Sequence, residues 1–324
     1  MDGQVVPFDG DSRKKKPKNS SFRQQTMRAY RPVPTVRSAV FTFSVLGVLF
    51  IVIGSILLSY SMEIVEVKQR YDNLALCEDT KWDAPQTCTV TLEVNEQMEA
   101  PVYFYYELHN FYQNHRKYVK SRSDKQLMGN DLSKDELSEC EPVVDMEDLG
   151  RIQEHLQGAK NLKPSSPANP CGLIAKTFFN DTYSISNSSN VQIKIHEDEI
   201  AWPSDREEKF ERVSNNWQEK QWIDVEDEHF MVWMRTAGLP NFRKLWGRIE
   251  QDIYPGTYYI TVNSFYDVSD FNGEKYVVLS TANTFGGKND ALGIAYIVVG
   301  AMTVLLAIAF TVKGYIYKRS QDIG

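Results

Sequence analysis

Metal-binding and nucleophilic side chains are scarce in this chain, with four cysteines and five histidines among 324 residues. No CxxC pair or neighbouring cysteine–histidine spacing occurs, which argues against a structural zinc site. The motifs GxxxxGK(S/T), HExxH and GxSxG are absent, so no P-loop, zincin helix or nucleophile elbow is encoded. Gly286-Gly287-Lys288-Asn289 is glycine-rich but lacks P-loop spacing. The histidines, at 109, 115, 155, 196 and 229, are scattered. No catalytic, cofactor-binding or metal-ligating residue is assigned.

The second absence is charge. Residues 39–62 and 291–312 contain no Asp, Glu, Lys, Arg or His over 24 and 22 positions. At ~1.5 Å per helical residue, these runs reach roughly 33–36 Å, enough to cross a hydrocarbon core of about 30 Å. The first run is too long and too far from the start to be a signal-peptide core. Two helices without an ionisable group offer little for proton coupling or ion conduction by themselves. The expectation is a membrane hairpin with residues 63–290 inserted between its legs.

What is present orients that hairpin. Arg13, Lys14, Lys15, Lys16, Lys18, Arg23, Arg28, Arg31 and Arg37 precede the first run, and Lys313, Lys318 and Arg319 follow the second. By the positive-inside rule both ends are cytoplasmic. Of 36 basic and 43 acidic side chains, the ends take 12 and 4, leaving 24 and 39 in the middle, a net of −15. That field disfavours nucleic acid as a partner. The expected organisation is a disordered basic tail (1–38), a first span (39–62), a lumenal or extracellular domain (63–290), a second span (291–312) and a cytoplasmic tail (313–324).

All four cysteines, Cys77, Cys88, Cys140 and Cys171, fall in the middle segment, where disulfides persist outside the cytosol. Four cysteines allow three connectivities, of which the sequential one is favoured. Asn180-Asp181-Thr182 and Asn187-Ser188-Ser189 are glycosylation sequons in the same segment. Asn19-Ser20-Ser21 fits the pattern but lies on the cytoplasmic side of this topology.

The middle segment reads as β-rich. Residues 87–94, 102–108, 191–196, 258–264 and 276–281 alternate or are rich in aromatic and β-branched residues, as half-buried strands are. An antiparallel β-sandwich with long insertions is expected, with short helices near 145–157 and 242–251. Residues 110–125 stand out in this acidic domain. His115, Arg116, Lys117, Lys120 and Arg122 form a positive cluster interleaved with Tyr112 and Tyr118, either a solvated stretch paired with the domain's own carboxylates or a docking surface. Gly47 and Gly54 in the first run, and Gly293 and Gly300 in the second, are pairs seven residues apart. Each pair lies on one helix face and would allow close helix packing.

The segments FYQNHRKYVKSR (111–122), NPCGLIA (169–175), FFNDT (178–182), VWMRTAGLPNFRKLW (232–246) and GIAYIVVG (293–300) closely resemble the cell division control protein 50 family. The likeness runs from about Phe22 through the second span. It implies a non-catalytic accessory (β) subunit of a type-IV P-type ATPase, a phospholipid flippase. Such a subunit forms a heterodimer with the ATPase α subunit and supports its folding and exit from the endoplasmic reticulum. It also supports movement of phosphatidylserine or phosphatidylethanolamine to the cytosolic leaflet. The resemblance implies endoplasmic reticulum, Golgi or endosomal, and plasma membrane locations and no cofactor. It also implies Cys77–Cys88 and Cys140–Cys171 pairing. Asn180 matches a family sequon, whereas Asn187 lies in a variable stretch.

Two other classes share parts of the pattern. Subunits of two-span ion channels have inside termini and a large outer domain, but usually many more cysteines. A membrane-tethered lumenal enzyme would show turnover by the purified protein. Glycopeptide mapping of the membrane-extracted chain is expected to find glycan at Asn180 or Asn187 and none at Asn19; occupancy at Asn19 would reverse the topology.

Overall fold

The computed structural model describes residues 20–28, 35–77, 86–150 and 162–323. Helix α1 (Val36–Met62) leads into strand β1 (Glu66–Arg70), then β2 (Gln86–Val94) and β3 (Val102–His109). Four short helices follow: α2 (Arg116–Lys120), α3 (Asp124–Leu127), α4 (Met146–Leu149) and α5 (Leu173–Lys176). Strands β4 (Thr182–Asn187) and β5 (Gln192–Ile193) precede α6 (Pro203–Glu208) and α7 (Glu228–Met234). Strands β6 (Phe242–Ile249), β7 (Gly256–Ser264) and β8 (Glu274–Ser280) lead to helix α8 (Asp290–Ile323).

Two compact units divide the chain. One holds residues up to Val52 together with those from Tyr296 onward, and the other is Ile53–Ala295. Helices α1 and α8 carry the two charge-free runs, and both are long and apolar enough to cross a membrane. At the start of α1, Thr35 and Ser38 cap each other: each backbone N–H donates to the other's hydroxyl, satisfying donors that the first turn leaves unpaired. Helix α8 continues past the apolar run, carrying Lys313, Lys318 and Arg319 in its last turns.

The Ile53–Ala295 unit is built on two four-stranded antiparallel sheets, ordered β1-β8-β3-β6 and β2-β7-β4-β5. Alternation makes them. Along β2, Cys88, Val90, Leu92 and Val94 turn inward between exposed threonines and a glutamate. On β3, Val102, Phe104, Tyr106 and Leu108 are buried and the residues between are half-buried. Both inner faces feed one apolar core: Val90, Ile185, Ile260 and Val262 from one sheet, Phe104, Leu108, Ile249, Val277 and Leu279 from the other. This is the expected two-helix, antiparallel sandwich architecture.

Several local expectations are corrected. Residues 242–251 were expected to be helical, and Phe242, Trp246 and Ile249 do recur at helical spacing. Residues Phe242–Ile249 instead form strand β6. Its pairing with β3 slips between Phe104 and Tyr105: Phe104 faces Gly247, Tyr105 faces Leu245, and Trp246 is the extra residue of a bulge. The bulge changes which parity faces inward, so a period of two imitates one of 3.6. Near 145–157, α4 is only four residues long and ends at Gly150 in the left-handed conformation; residues 151–157 lie outside the described residues. The 191–196 strand shrinks to Gln192–Ile193, with His196 making a separate bridge to Arg248. Strands β1 and β4 were not anticipated. Most of the 1–38 tail lies outside the described residues.

One buried ion pair links elements of the two sheets. Lys275, on β8, donates to Asp181 Oδ2 at 2.8 Å, to Ser264 Oγ at 2.7 Å and to the Tyr266 carbonyl at 2.6 Å. Asp181, just before β4, also accepts from the backbone N–H groups of Phe265 and Tyr266 and from the Tyr71 hydroxyl. Both side chains are within 1% of full burial. Burial beside Asp181 pushes the Tyr71 phenol well above its usual range, so it remains a donor. Lys275→Met is expected to lower unfolding free energy by about 3–5 kcal/mol, because it strands a buried carboxylate. Denaturant unfolding of the full-length chain in detergent, followed by tryptophan fluorescence, measures it. A loss below about 1 kcal/mol would contradict this account of the pair.

Candidate functional site

The two longest motifs of the sequence, 111–122 and 232–246, fold into one surface. Phe111 N–H donates to the Pro240 carbonyl at 3.0 Å. Ala237 N–H donates to the Gln113 side-chain oxygen at 2.8 Å, and Asn114 Nδ2 donates to the Gly238 carbonyl at 3.0 Å. Asn110, at φ 60°, donates from Nδ2 to the Phe271 carbonyl at 2.6 Å. Below this seam the Phe111 ring lies within 6.5 Å of Tyr118, Trp233, Phe242, Tyr266 and Phe271, centroid to centroid. These edge-on aromatic contacts fix the seam from beneath.

Lys244 holds the end of α7 against β6. Its buried amine donates to the carbonyls of Val232, Trp233 and Arg235, which the helix end leaves unpaired. Burial, with Arg235 nearby, pushes this amine down to about 7, against the pull of its three acceptors. Sequence reasoning missed Lys244 because a lysine gives no sign in sequence of the acceptors that allow its burial.

Above the seam stand the cations. His115, Arg116, Lys117 and Lys120 are exposed on and before α2. Among the described residues no salt bridge engages any of these four side chains. Arg122 differs: it is half-exposed and pairs with Asp124 at 3.0 Å. Tyr118 also leaves the cluster. It is buried, its hydroxyl lies 2.6 Å from Thr177 Oγ1, and burial pushes its phenol up to about 12. Tyr112 remains exposed at 58%, and Leu239 on the facing loop at 70%. The surface is therefore cationic with two apolar residues beside it.

A cross-link supports α2 and α3 from behind. The structure joins Cys140 to Cys171 and Cys77 to Cys88. Ser121 Oγ donates to the Cys140 carbonyl at 2.7 Å and accepts from Leu173 N–H at 2.9 Å. Gln126 donates to Ala168 and accepts from Cys171 N–H at 3.0 Å. Gly172, at φ 98°, lies so close to the Ser121 carbonyl that any Cβ would collide with it. The basic residues thus stand on a cross-linked floor.

The remaining expected residues lie elsewhere. In the first unit a Cβ on Gly47 would meet Val304 and Thr303 side chains at 2.6 and 2.8 Å, and one on Gly300 would meet the Gly47 carbonyl at 2.9 Å. In the second, Gly293 lies against Leu58, and Gly54 is buried. The two sequons bracket β4. Asn187 ends the strand, its carboxamide oxygen accepting from the N–H groups of Ser189 and Val191. Asn180 is half-buried beside Asp181. Among the described residues, no three His, Cys, Asp or Glu side chains are grouped to hold a metal ion.

Comparison with known proteins agrees in one direction. The profile of the LEM3 (ligand-effect modulator 3) family / CDC50 family matches residues 57–320. ALA-interacting subunit 3 of Arabidopsis thaliana is 40% identical over 319 residues, covering 92% of this chain and 86% of that protein. Cell cycle control protein 50A of Bos taurus is 34% identical over 359 residues, covering 99% and 95%. Cell cycle control protein 50C of Macaca fascicularis is 32% identical over 341 residues, covering 92% and 94%. Matches of this extent from plant and mammal place the whole two-helix architecture in one lineage: the chain belongs to the LEM3/CDC50 family, the non-catalytic accessory subunits of type-IV P-type ATPases.

Proposed function

We propose that this chain forms a heterodimer with the α subunit of a phospholipid-translocating P-type ATPase. It assists that subunit's folding and exit from the endoplasmic reticulum, and supports flipping of phosphatidylserine or phosphatidylethanolamine to the cytosolic leaflet. Both termini are cytoplasmic in this reading, and the sandwich faces the lumen or exterior. The complex occupies endoplasmic reticulum, Golgi or endosomal, and plasma membranes. The spans carry no ionisable group, so lipid passage belongs to the partner.

The observation that carries the docking reading is the exposed basic surface at His115, Arg116, Lys117 and Lys120, which no salt bridge engages among the described residues, on a domain of net charge −15. Exposed basic groups suit acidic loops of a second protein, and charge complementarity would guide their encounter. Leu239 and Tyr112 add apolar contact beside them. The cross-linked floor keeps the surface in one shape, which lowers the ordering cost of association. The spans' glycines would allow close packing of the helices that anchor it. Glycans at Asn180 and Asn187 fit the lumenal placement.

Affinity purification of the full-length chain from native membranes is expected to recover a P-type ATPase α subunit in equal amount; recovery without any such ATPase would contradict the assignment. The triple charge reversal Arg116→Glu, Lys117→Glu, Lys120→Glu is expected to weaken that recovery roughly ten-fold and to make wild-type recovery salt-sensitive by comparison. These side chains are exposed, so the unfolding transition should be unchanged. Unaltered recovery with a correctly folded variant would remove the surface from the interface. Cys140→Ser with Cys171→Ser is expected to lower both stability, by about 3–4 kcal/mol of loop-closure entropy, and recovery. Full recovery of the ATPase would show that the floor is dispensable.

A further inference from the structure

Between β8 and α8 the chain makes a tight turn whose exposed tip is aromatic. Asn283 and Gly286 exchange two backbone hydrogen bonds, at 3.1 and 2.9 Å. Phe285 N–H donates to the Asn283 side-chain oxygen at 3.0 Å. Asn283 Nδ2 donates to the carbonyl of Tyr60 at 2.7 Å, so the turn is bolted to the last turn of α1. A second bolt lies beside it: Ser61 Oγ donates to Asp290 at 2.5 Å and accepts from Asn289 N–H at 2.9 Å.

This rigid turn presents Phe285 outward, 61% exposed. Its ring lies 4.9 Å from that of Tyr60, itself 41% exposed, and Met62 nearby on α1 is 71% exposed. Tyr60 lies two residues, about 3 Å of helical rise, before the end of α1. The first charged residue after the apolar run is Glu63. Phe285 is therefore held at the depth where the charge-free run of α1 gives way to charge, not out on the sandwich. Lys288 follows, exposed, with a stem long enough to reach lipid phosphates from that level.

We infer that the 283–288 turn is a membrane-interface anchor, with Phe285, Tyr60 and Met62 seated at the boundary of head groups and acyl chains. Three features favour lipid over a protein partner. Tyr60 is of the type enriched in the interfacial belts flanking membrane spans, and Lys288 can snorkel to head groups. The turn satisfies the N–H groups of Asn283, Phe285 and Gly286 internally, which lowers the cost of placing that backbone beside acyl chains. The apolar patch is also continuous with the lipid-facing surface of α1, where Ile53 and Ile56 are exposed. The anchor fixes the height of the domain's exit strand at the bilayer surface. It depends on the spans and not on which ATPase is bound.

The test is photo-cross-linking in the full-length chain, in cells fed alkyne-tagged fatty acids. Phe285→p-benzoylphenylalanine is compared with the same replacement at Val191, an equally exposed apolar position beside the Asn187 sequon. Phospholipid adducts at 285 severalfold above those at 191 are expected. Adducts confined to protein at 285, or lipid labelling no higher than at 191, overturn the inference.

Discussion

The salt bridge between Lys275 and Asp181 is the interaction on which the sandwich depends. Lys275 belongs to the β1-β8-β3-β6 sheet, and Asp181 enters the β2-β7-β4-β5 sheet. Ser264, at the end of β7, and Tyr71, after β1, complete the set. A buried ion pair is costly unless every lone pair and proton is used. Here the amine has three acceptors, and the carboxylate has two backbone N–H groups and a phenol besides the lysine. That geometry is met in one arrangement of the two sheets, so the pair specifies how they lie on each other as well as contributing to stability.

From this point order passes to the basic surface. The Tyr266 carbonyl accepts from Lys275, and the Tyr266 ring belongs to the set around Phe111 and Trp233. Phe111 begins the seam that joins the 111–122 and 232–246 motifs. Lys244 holds the other side of the seam through three carbonyls. A dense basic surface is electrostatically unfavourable in isolation, since like charges stand close together. The aromatic set, the Lys244 cap and the Cys140–Cys171 cross-link hold the backbone beneath that surface.

The sequence made some of this legible and concealed the rest for identifiable reasons. The spans were readable because length without charge is nearly decisive. Strands β2, β3 and β7 were readable because their burial alternates, and β8 because it is a β-branched and apolar run buried on both faces. Strand β6 was misread because the bulge at Trp246 breaks that alternation and produces helical spacing. Strand β4, TYSISN, was hidden because polar residues occupy four of its six positions and only Tyr183 and Ile185 turn inward. Lys275 and Lys244 were invisible because a lysine in sequence gives no sign of the acceptors that allow its burial. Tyr112 and Tyr118 look equivalent in the basic segment, and only the placement of α2 turns one out and the other into the core. The family motifs showed that 111–122 and 232–246 mattered, but not that they meet.

The central claim is that this accessory subunit meets its ATPase through the joined surface of those two motifs. Hydrogen–deuterium exchange on the full-length chain, alone and in the co-purified complex, addresses it directly. The account predicts slowed exchange of amides in 111–122 and 235–241 on assembly, with the Cys140–Cys171 floor already slow in both states. Unchanged exchange across both segments, with protection confined to other parts of the sandwich, would contradict it.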